Sequence, residues 1–514
     1  MEVVHPNDGE LEPISNAEVK IEGQANKSTD DDGQISYSNI SEGFYDYYVN
    51  KDGYENYEGE INLDRDELNY RIFLFPEVDR GDLAEFPSVE DIDLTSETEI
   101  VREIDNHRPI DSNYQPDDVE DVVGASHVRG RYHLTDQPYL LEGAQKLKEE
   151  FNSRSIMVYF QLLEDYHPYH AYPEGDYPYN SDWDDLGANP DYLDLAQSEY
   201  FQELFDMDFS TFFLTTRRTY DWRGNPDNQE LFREIEEEIY ELSKYLLETY
   251  SDRDVDFVLK NWEGDWLVRT NQDAWEDPRG LFDDHPEIKD DFLSFIHWYR
   301  ARQRGVMRAR DQVHNSQANV LHASEINLVF PFTEEVPTLL THVLPYVNVD
   351  LISYSSYEAV PHWQITDGYD LTQNQTQESD TPWQHPPDTL HHLIDSNPEN
   401  LWYALDIIDH FAQSSQVYND DQIYIGEIGI AENVVDLSDE EIINWWDDMF
   451  GVMFAQDVRN ILQWQVYCNE VQHSESFDLP DETYEADDLN GFWLLKPNGE
   501  LSVTGKFFKE ILKN

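Results

Sequence analysis

Two short stretches of this 514-residue chain set a carboxylate at or just beyond the end of an apolar run. The first is Leu259-Lys260-Asn261-Trp262-Glu263-Gly264-Asp265-Trp266, and the second is Ile425-Gly426-Glu427-Ile428-Gly429. Glu427 follows Ile423-Tyr424-Ile425 and stands between Gly426 and Gly429, which suits a buried mouth and not a solvated outer face. Two carboxylates that meet across such a mouth have a specific use. One, kept protonated by an apolar setting or a neighbouring charge, donates to a leaving oxygen while the other attacks an anomeric carbon. Retaining glycoside hydrolysis of this kind needs a separation of about 5–5.5 Å.

Context has to carry that reading, because 109 of the residues are Asp or Glu against 33 Lys and Arg, a net charge of −76. An isolated acid in such a chain says little. The balance argues against nucleic acid as a partner, since phosphate recognition needs a basic footprint, and against an anionic membrane surface for the same reason. With 39% hydrophobic and 14% aromatic residues the chain is too rich in large apolar side chains for an acidic disordered polymer. Only 12 residues are Lys, and the acidic excess is spread along the whole length. Such a surface stays hydrated where salt screening is strong, with a Debye length of roughly 3 Å at 1 M, and the composition resembles that of extreme halophiles.

The elements that must hold the two acids follow from Val119 onward, where a strand-then-helix rhythm repeats eight times. Strands are expected at Val122–Ala125, Ile156–Phe160, Phe212–Leu214, Phe257–Leu259, Val320–Ala323, Leu351–Tyr354, Ile423–Gly426 and Ile461–Trp464. Amphipathic segments lie between them, including Leu140–Phe151, Asn228–Glu248, Pro286–Arg302, Asn400–Gln413 and Asp439–Phe454. Eight such units predict an α/β fold, a (β/α)8 TIM barrel over 119–514 with long loops after the strands, where barrel enzymes keep their chemistry. A doubly wound sheet would show the same rhythm, but no Gly-x-Gly-x-x-Gly follows the first strand and no Gly-Lys-Ser/Thr occurs.

Residues 1–76 alternate with period two and turn at Asp32-Gly33 and Asp52-Gly53, predicting a small all-β Ig-like sandwich. The series Pro13-Ile14-Ser15-Asn16-Ala17-Glu18-Val19, Thr29-Asp30-Asp31-Asp32-Gly33, Gly43-Phe44-Tyr45, Gly53-Tyr54 resembles the carboxypeptidase regulatory-like family of transthyretin-like sandwiches. The resemblance implies an accessory module without catalytic residues. Residues 77–118 read as an acidic linker.

The barrel segment also resembles a family. A Glu after strand four near an Asn, a Gly-Glu-x-Gly after strand seven, a Tyr after strand six and a Trp after strand eight look like clan A glycoside hydrolases, the cellulase-like retaining barrels. The resemblance implies Glu263 as acid/base, Glu427 as nucleophile and Trp464 as the aromatic platform under the sugar. Tyr357 is similar to the tyrosine that hydrogen-bonds the nucleophile, with Tyr354 as the alternative. Trp262 separates Asn261 from Glu263, whereas in the clan Asn and Glu are adjacent, which leaves open the contact of Asn261 with a sugar hydroxyl and makes Asp265 a rival acid.

Other residues expected at the mouth are His127 after strand one, Arg217 and Arg218 after strand three, and Glu325 and Asn327 after strand five. Trp222, Trp262, Trp266, Trp363 and Trp383 fall in loops on the strand-end side, whereas Trp298, Trp445 and Trp446 fall within helices and read as packing. No His-Glu-x-x-His, Cys cluster or Gly-x-Ser-x-Gly occurs, so the expected chemistry calls for no metal or cofactor. No apolar run approaches the ~18 residues of a membrane span, and Met1–Pro6 has neither the basic nor the apolar region of a signal peptide. The accessory module favours a cell-surface or extracellular setting. The chain is thus expected to act on a carbohydrate as a retaining glycosidase, or, as the alternative, to be an inactive carbohydrate-binding or surface-structural barrel.

Overall fold

The computed structural model describes residues 1–7, 10–63, 69–84, 92, 94–128, 132–161, 190–217, 222–269, 280–331, 335–360, 397–414, 422–472 and 484–513. Seven strands open the chain: β1 (Glu2–Asn7), β2 (Glu10–Pro13), β3 (Glu18–Ile21), β4 (Lys27–Ser28), β5 (Gly43–Asn50), β6 (Tyr57–Leu63) and β7 (Arg71–Phe73). They form a three-stranded sheet ordered β2-β1-β7 and a four-stranded antiparallel sheet ordered β4-β3-β5-β6. Alternate residues turn inward, so Val19, Ile21, Tyr47, Val49, Tyr57 and Ile61 meet Val3, Ile72 and Leu74 in a core of their own. The Asp32-Gly33 turn needs glycine: φ is +71° and a Cβ there would lie 2.6 Å from the Val3 carbonyl oxygen.

The helices that follow are α1 (Glu97–His107), α2 (Val119–Val122), α3 (Tyr139–Phe151), α4 (Tyr192–Ala196), α5 (Glu199–Phe205), α6 (Gln229–Thr249), α7 (Gly264–Val268), α8 (Leu281–Asp284), α9 (Ile288–Gln312), α10 (Leu339–His342), α11 (Asn397–Ser414), α12 (Asp439–Ala455) and α13 (Val503–Ile511). Eight strands alternate with them: β8 (Val123–Ser126), β9 (Ser155–Gln161), β10 (Thr211–Arg217), β11 (Asp256–Lys260), β12 (Asn319–Ile326), β13 (Leu351–Ser355), β14 (Ile423–Ile428) and β15 (Ile461–Gln463). These strands pair in parallel and close on themselves, β15 returning to β8, as a (β/α)8 barrel. Its inside is filled by one apolar or aromatic side chain from each of seven strands, Met157, Phe213, Val258, Ala323, Leu351, Tyr424 and Leu462. The neighbouring residues of each strand, such as Ile156, Phe212, Phe257, Val320, Ile352 and Ile425, face the helices in a second apolar layer.

All eight expected strands form, each within a few residues of its expected ends. Helix α9 runs ten residues past the expected stop, because Arg304 and Arg308 are buried against Glu236 and do not mark a solvated end. Within the segment read as a linker, α1 buries Ile100 and Ile104, and its backbone lies so close to α12 that a Cβ on Gly451 would come 2.9 Å from the Ile104 carbonyl oxygen. The start of α12 is fixed by a capping box, Ser438 and Glu441 each accepting from the other's backbone N–H.

The N-terminal module sits on α6 and α9. Glu55 pairs with Arg300 and Arg304, Tyr57 donates to Glu236 at 2.6 Å, and Arg304 bonds Glu236 at 3.0 Å. Burial alone would raise Glu55, but Arg304, His297 and Arg300 hold it well below the usual carboxylate range. No helix among the described residues is long and apolar enough to cross a membrane.

Candidate active site

Strand β11 ends on Lys260, whose side chain is wholly buried inside the barrel and ion-paired with Glu325 of β12. The chain then leaves the strand through Asn261. Its Oδ1 accepts from the Tyr299 hydroxyl at 2.8 Å and from the Glu325 N–H at 2.9 Å, and its Nδ2 donates to the Glu325 carbonyl at 3.1 Å. Asn261 therefore binds the end of β11 to β12 and spends its amide on that bond. Asp265 is a second bracket: it accepts from the N–H groups of Asn327 (3.0 Å), Leu328 (3.1 Å) and Leu339 (2.8 Å). Burial raises Asp265, against those three N–H donors. Its lone pairs are committed to loop backbone, whereas Glu263, at the start of α7, makes no side-chain cap hydrogen bond.

Glu427 is aimed by an irregularity. In β13 and β14, Tyr354 pairs with Ile425 but Ser355 pairs with Glu427, so one extra residue of β14 is accommodated at Gly426–Glu427. The register against β15 shifts at the same place. A bulge re-aims the side chain that follows it, and Glu427 is 3% exposed with its Oε1 lacking a hydrogen-bond partner among the described residues. Gly426 fits only as glycine, since a Cβ there would lie 2.5 Å from Glu325 Oε2 and closer still to Ser353 Oγ.

The two acids share one electrostatic environment. Burial, then the charge of Glu325, pushes Glu263 up to about 8, with Lys260 pulling the other way. Glu427 is raised well above the usual range by burial and by Glu325 and Glu263. Like charges held together out of water cannot all ionise, so the protons belong to the pair.

Tyr357 follows β13 in a turn over Ser356–Glu358, packs against the interior cluster, and lies in the field of Glu427, Glu470 and Glu263. Tyr354 points the other way, into the strand–helix layer, which leaves Tyr357 beside the acids. Trp464 follows β15, packs in the interior cluster, and donates from Nε1 to Glu470 at 3.3 Å.

The remaining expectations separate. His127 continues the outward alternation of Val123 and Ala125, stacks on Tyr139 at 4.3 Å and approaches the Tyr139 carbonyl at 2.7 Å through Nε2. A Cβ on Gly143 of α3 would strike its ring, so His127 sits between barrel and helix and away from the mouth, and burial lowers it to about 4. Trp222 is 2% exposed and stacked on Phe295, a core position, while Trp262 and Trp266 are half-buried against the strand–helix layer. Trp298, Trp445 and Trp446 are buried in α9 and α12. Arg217 ends β10 opposite Gln161, its side chain outside the description; Arg218, Trp363 and Trp383 lie outside the described residues. Asn327 Oδ1 accepts the Asp265 N–H at 3.1 Å and so belongs to the same loop bracket.

Two residues near the acids escaped the sequence reading. Lys260 was visible as a charge ending the apolar run Phe257-Val258-Leu259, in a chain with few lysines. Glu470, buried and raised by that burial, accepts from Trp464 and from Asn490 at 3.0 Å, and no periodic pattern surrounds it.

No protein-family model and no curated protein matches the sequence. Among solved structures the chain is similar to the GH53 catalytic domain of Ignisphaera aggregans, with 12% identity, a TM-score of 0.39, and coverage of 78% of this chain and 98% of that one. It is also similar to a GH5-4 broad specificity endoglucanase from Bacteroides salanitronis, with 11% identity, a TM-score of 0.40, and coverage of 76% and 92%. A third is a hyperthermophilic β-glucosidase from Pyrococcus furiosus, with 10% identity, a TM-score of 0.40, and coverage of 77% and 95%.

Proposed function

We propose that the chain is a retaining glycoside hydrolase in which Glu263 is the acid/base and Glu427 the nucleophile. The observation that carries the reading is the convergence of these two carboxylates at the ends of β11 and β14, each raised by burial and by the same neighbour, Glu325. Asp265, the rival acid, is engaged by three backbone N–H groups.

In the first step the Glu263 carboxylic acid gives its proton to the glycosidic oxygen. The bond from that oxygen to the anomeric carbon breaks, the leaving group departs as an alcohol, and a Glu427 oxygen bonds to the carbon as an ester. In the second step the Glu263 carboxylate takes a proton from water, the water oxygen attacks the same carbon, and the Glu427 ester bond breaks to release the sugar. Each residue ends as it began. Burial that favours the protonated form suits the acid. The nucleophile has to ionise, and a pair that shares protons supplies one of each. Trp464, fixed through its indole N–H, offers an apolar face for the sugar, and Tyr357 stands beside Glu427.

The test is hydrolysis of a panel of chromogenic glycosides and polysaccharides at molar salt by the native chain and by Glu427→Gln. Release by the native chain that Glu427→Gln abolishes without unfolding supports the reading. Full activity in Glu427→Gln ends it, and binding without turnover by the native chain would favour the inactive carbohydrate-binding barrel.

A further inference from the structure

We propose that the buried Lys260–Glu325 ion pair is the positioning device for the two candidate catalytic acids, a role that rests on the glycosidase reading above. Both side chains are fully buried. Glu325 Oε1 accepts the backbone N–H of Glu263 at 3.1 Å, which fixes where that residue leaves the strand. Its Oε2 takes the Lys260 ammonium and the Ser353 hydroxyl, the latter at 2.7 Å, and lies against Gly426, the residue before Glu427. One carboxylate on β12 thus meets β11, β13 and β14 at the level where both acids emerge. The Lys260 ammonium is further seated 3.1 Å from Met157 Sδ on β9.

Packing does not explain such a pair. Taking two charges out of water costs several kcal/mol per ion, and apolar residues of similar volume commonly serve stability as well or better. The interior cluster just below it is built in that apolar way, from Val258, Phe213 and Ala323. What the pair supplies is charge at a fixed point. Glu263 faces Glu325, Lys260, Asp265 and Glu470, and Glu427 faces Glu325, Glu263, Lys260 and Glu470, with the Tyr357 and Tyr424 hydroxyls nearby. In both sets Lys260 is the cation, and it favours ionisation while Glu325 opposes it. The two members therefore act in opposite directions on the same acids.

That opposition gives the test, made in the full chain with Lys260→Met, Lys260→Arg and Glu325→Gln. On a chromogenic glycoside that the native chain turns over, Lys260→Met moves the acid limb of kcat/KM up by about one pH unit. Glu325→Gln moves the profile down by a similar amount, and Lys260→Arg leaves it within about half a unit. KM stays within about twofold, the loss appearing in kcat. A purely structural pair would not produce opposite displacements. Thermal midpoint against pH reads the same protons without substrate: its alkaline decline, which ends at the folded-state value, extends to higher pH in Lys260→Met and stops at lower pH in Glu325→Gln. Superimposable curves for the native chain and Glu325→Gln overturn the proposal, and this arm decides it even if no glycoside is hydrolysed and the glycosidase reading fails. Should Lys260→Met not fold, the Glu325→Gln displacement and the Lys260→Arg retention carry the decision.

Discussion

Gly426 lies against the Glu325 carboxylate so closely that a single added carbon would come 2.5 Å from Oε2. Since Glu325 also holds the Glu263 backbone, the contact links the two acids through one side chain. Gly426→Ala is therefore expected to displace both acids together. A displacement near 1 Å costs about 10²-fold in turnover, so kcat should fall by about that factor while far-ultraviolet circular dichroism is retained. Unchanged kcat in a folded Gly426→Ala protein would show that the close approach does not matter to catalysis.

The acid and the nucleophile should fail differently. Glu427→Ala is expected to lose at least about 10⁴-fold on every glycoside, because no ester can form. Glu263→Ala should lose about 10²–10⁴-fold on glycosides with poor leaving groups and much less on those whose leaving group needs no proton. A plot of rate against leaving-group acidity for the two variants checks this; parallel lines would contradict the assigned roles.

Asp265→Asn should damage the fold and not the chemistry. Three backbone N–H groups lean on that carboxylate, and loss of one good acceptor costs about 1–3 kcal/mol. A lower thermal midpoint with turnover kept within about tenfold is expected, and a loss of turnover as deep as that of Glu263→Ala would return Asp265 to candidacy as the acid.

Stability should depend on pH from both sides. Glu263, raised by burial to about 8 from 4.5, favours the folded state at low pH, and this contribution is lost as pH rises through 8. His127, lowered by burial to about 4 from 6.5, contributes above 6.5, and that contribution is lost as pH falls through 4. Thermal midpoints across pH 4–9 should thus decline at both ends, and Glu263→Gln should lessen the decline on the alkaline side, where Glu427 and Glu358 are raised too, and leave the acid side as it is.

The spread of −76 charges predicts a requirement for salt. Screening shortens the reach of repulsion to roughly 3 Å at 1 M, so thermal midpoint and turnover should rise between 0.1 and 1 M sodium chloride. Equal values at both concentrations would remove the halophilic reading.

How much of this was legible in the sequence differs between strand and loop. Strands such as Phe257–Leu259 and Leu351–Tyr354 announce themselves because residues buried on both faces form continuous apolar runs. Glu427 could be singled out because its flanking glycines follow such a run. The bulge that aims it was invisible, since an extra residue in a strand leaves no mark on periodicity. His127 was misread for a related reason: a residue at a strand end faces inward or outward by parity, and an offset of one position reverses it. Asn261 and Asp265 look catalytic by type, and only the backbone groups they engage show that they are loop brackets.

The seat of the N-terminal module on α6 and α9 has a mechanical consequence. Glu55 and Tyr57 reach across to Arg300, Arg304 and Glu236, so the two bodies meet through buried hydrogen-bonded charges. Swinging the module away would break those ion pairs and the Tyr57–Glu236 hydrogen bond together, a cost that a flexible tether never imposes. The module is thereby held against the outer helices α6 and α9 by several contacts at once, and its orientation on the barrel is set by side chains and not by the chain that joins them.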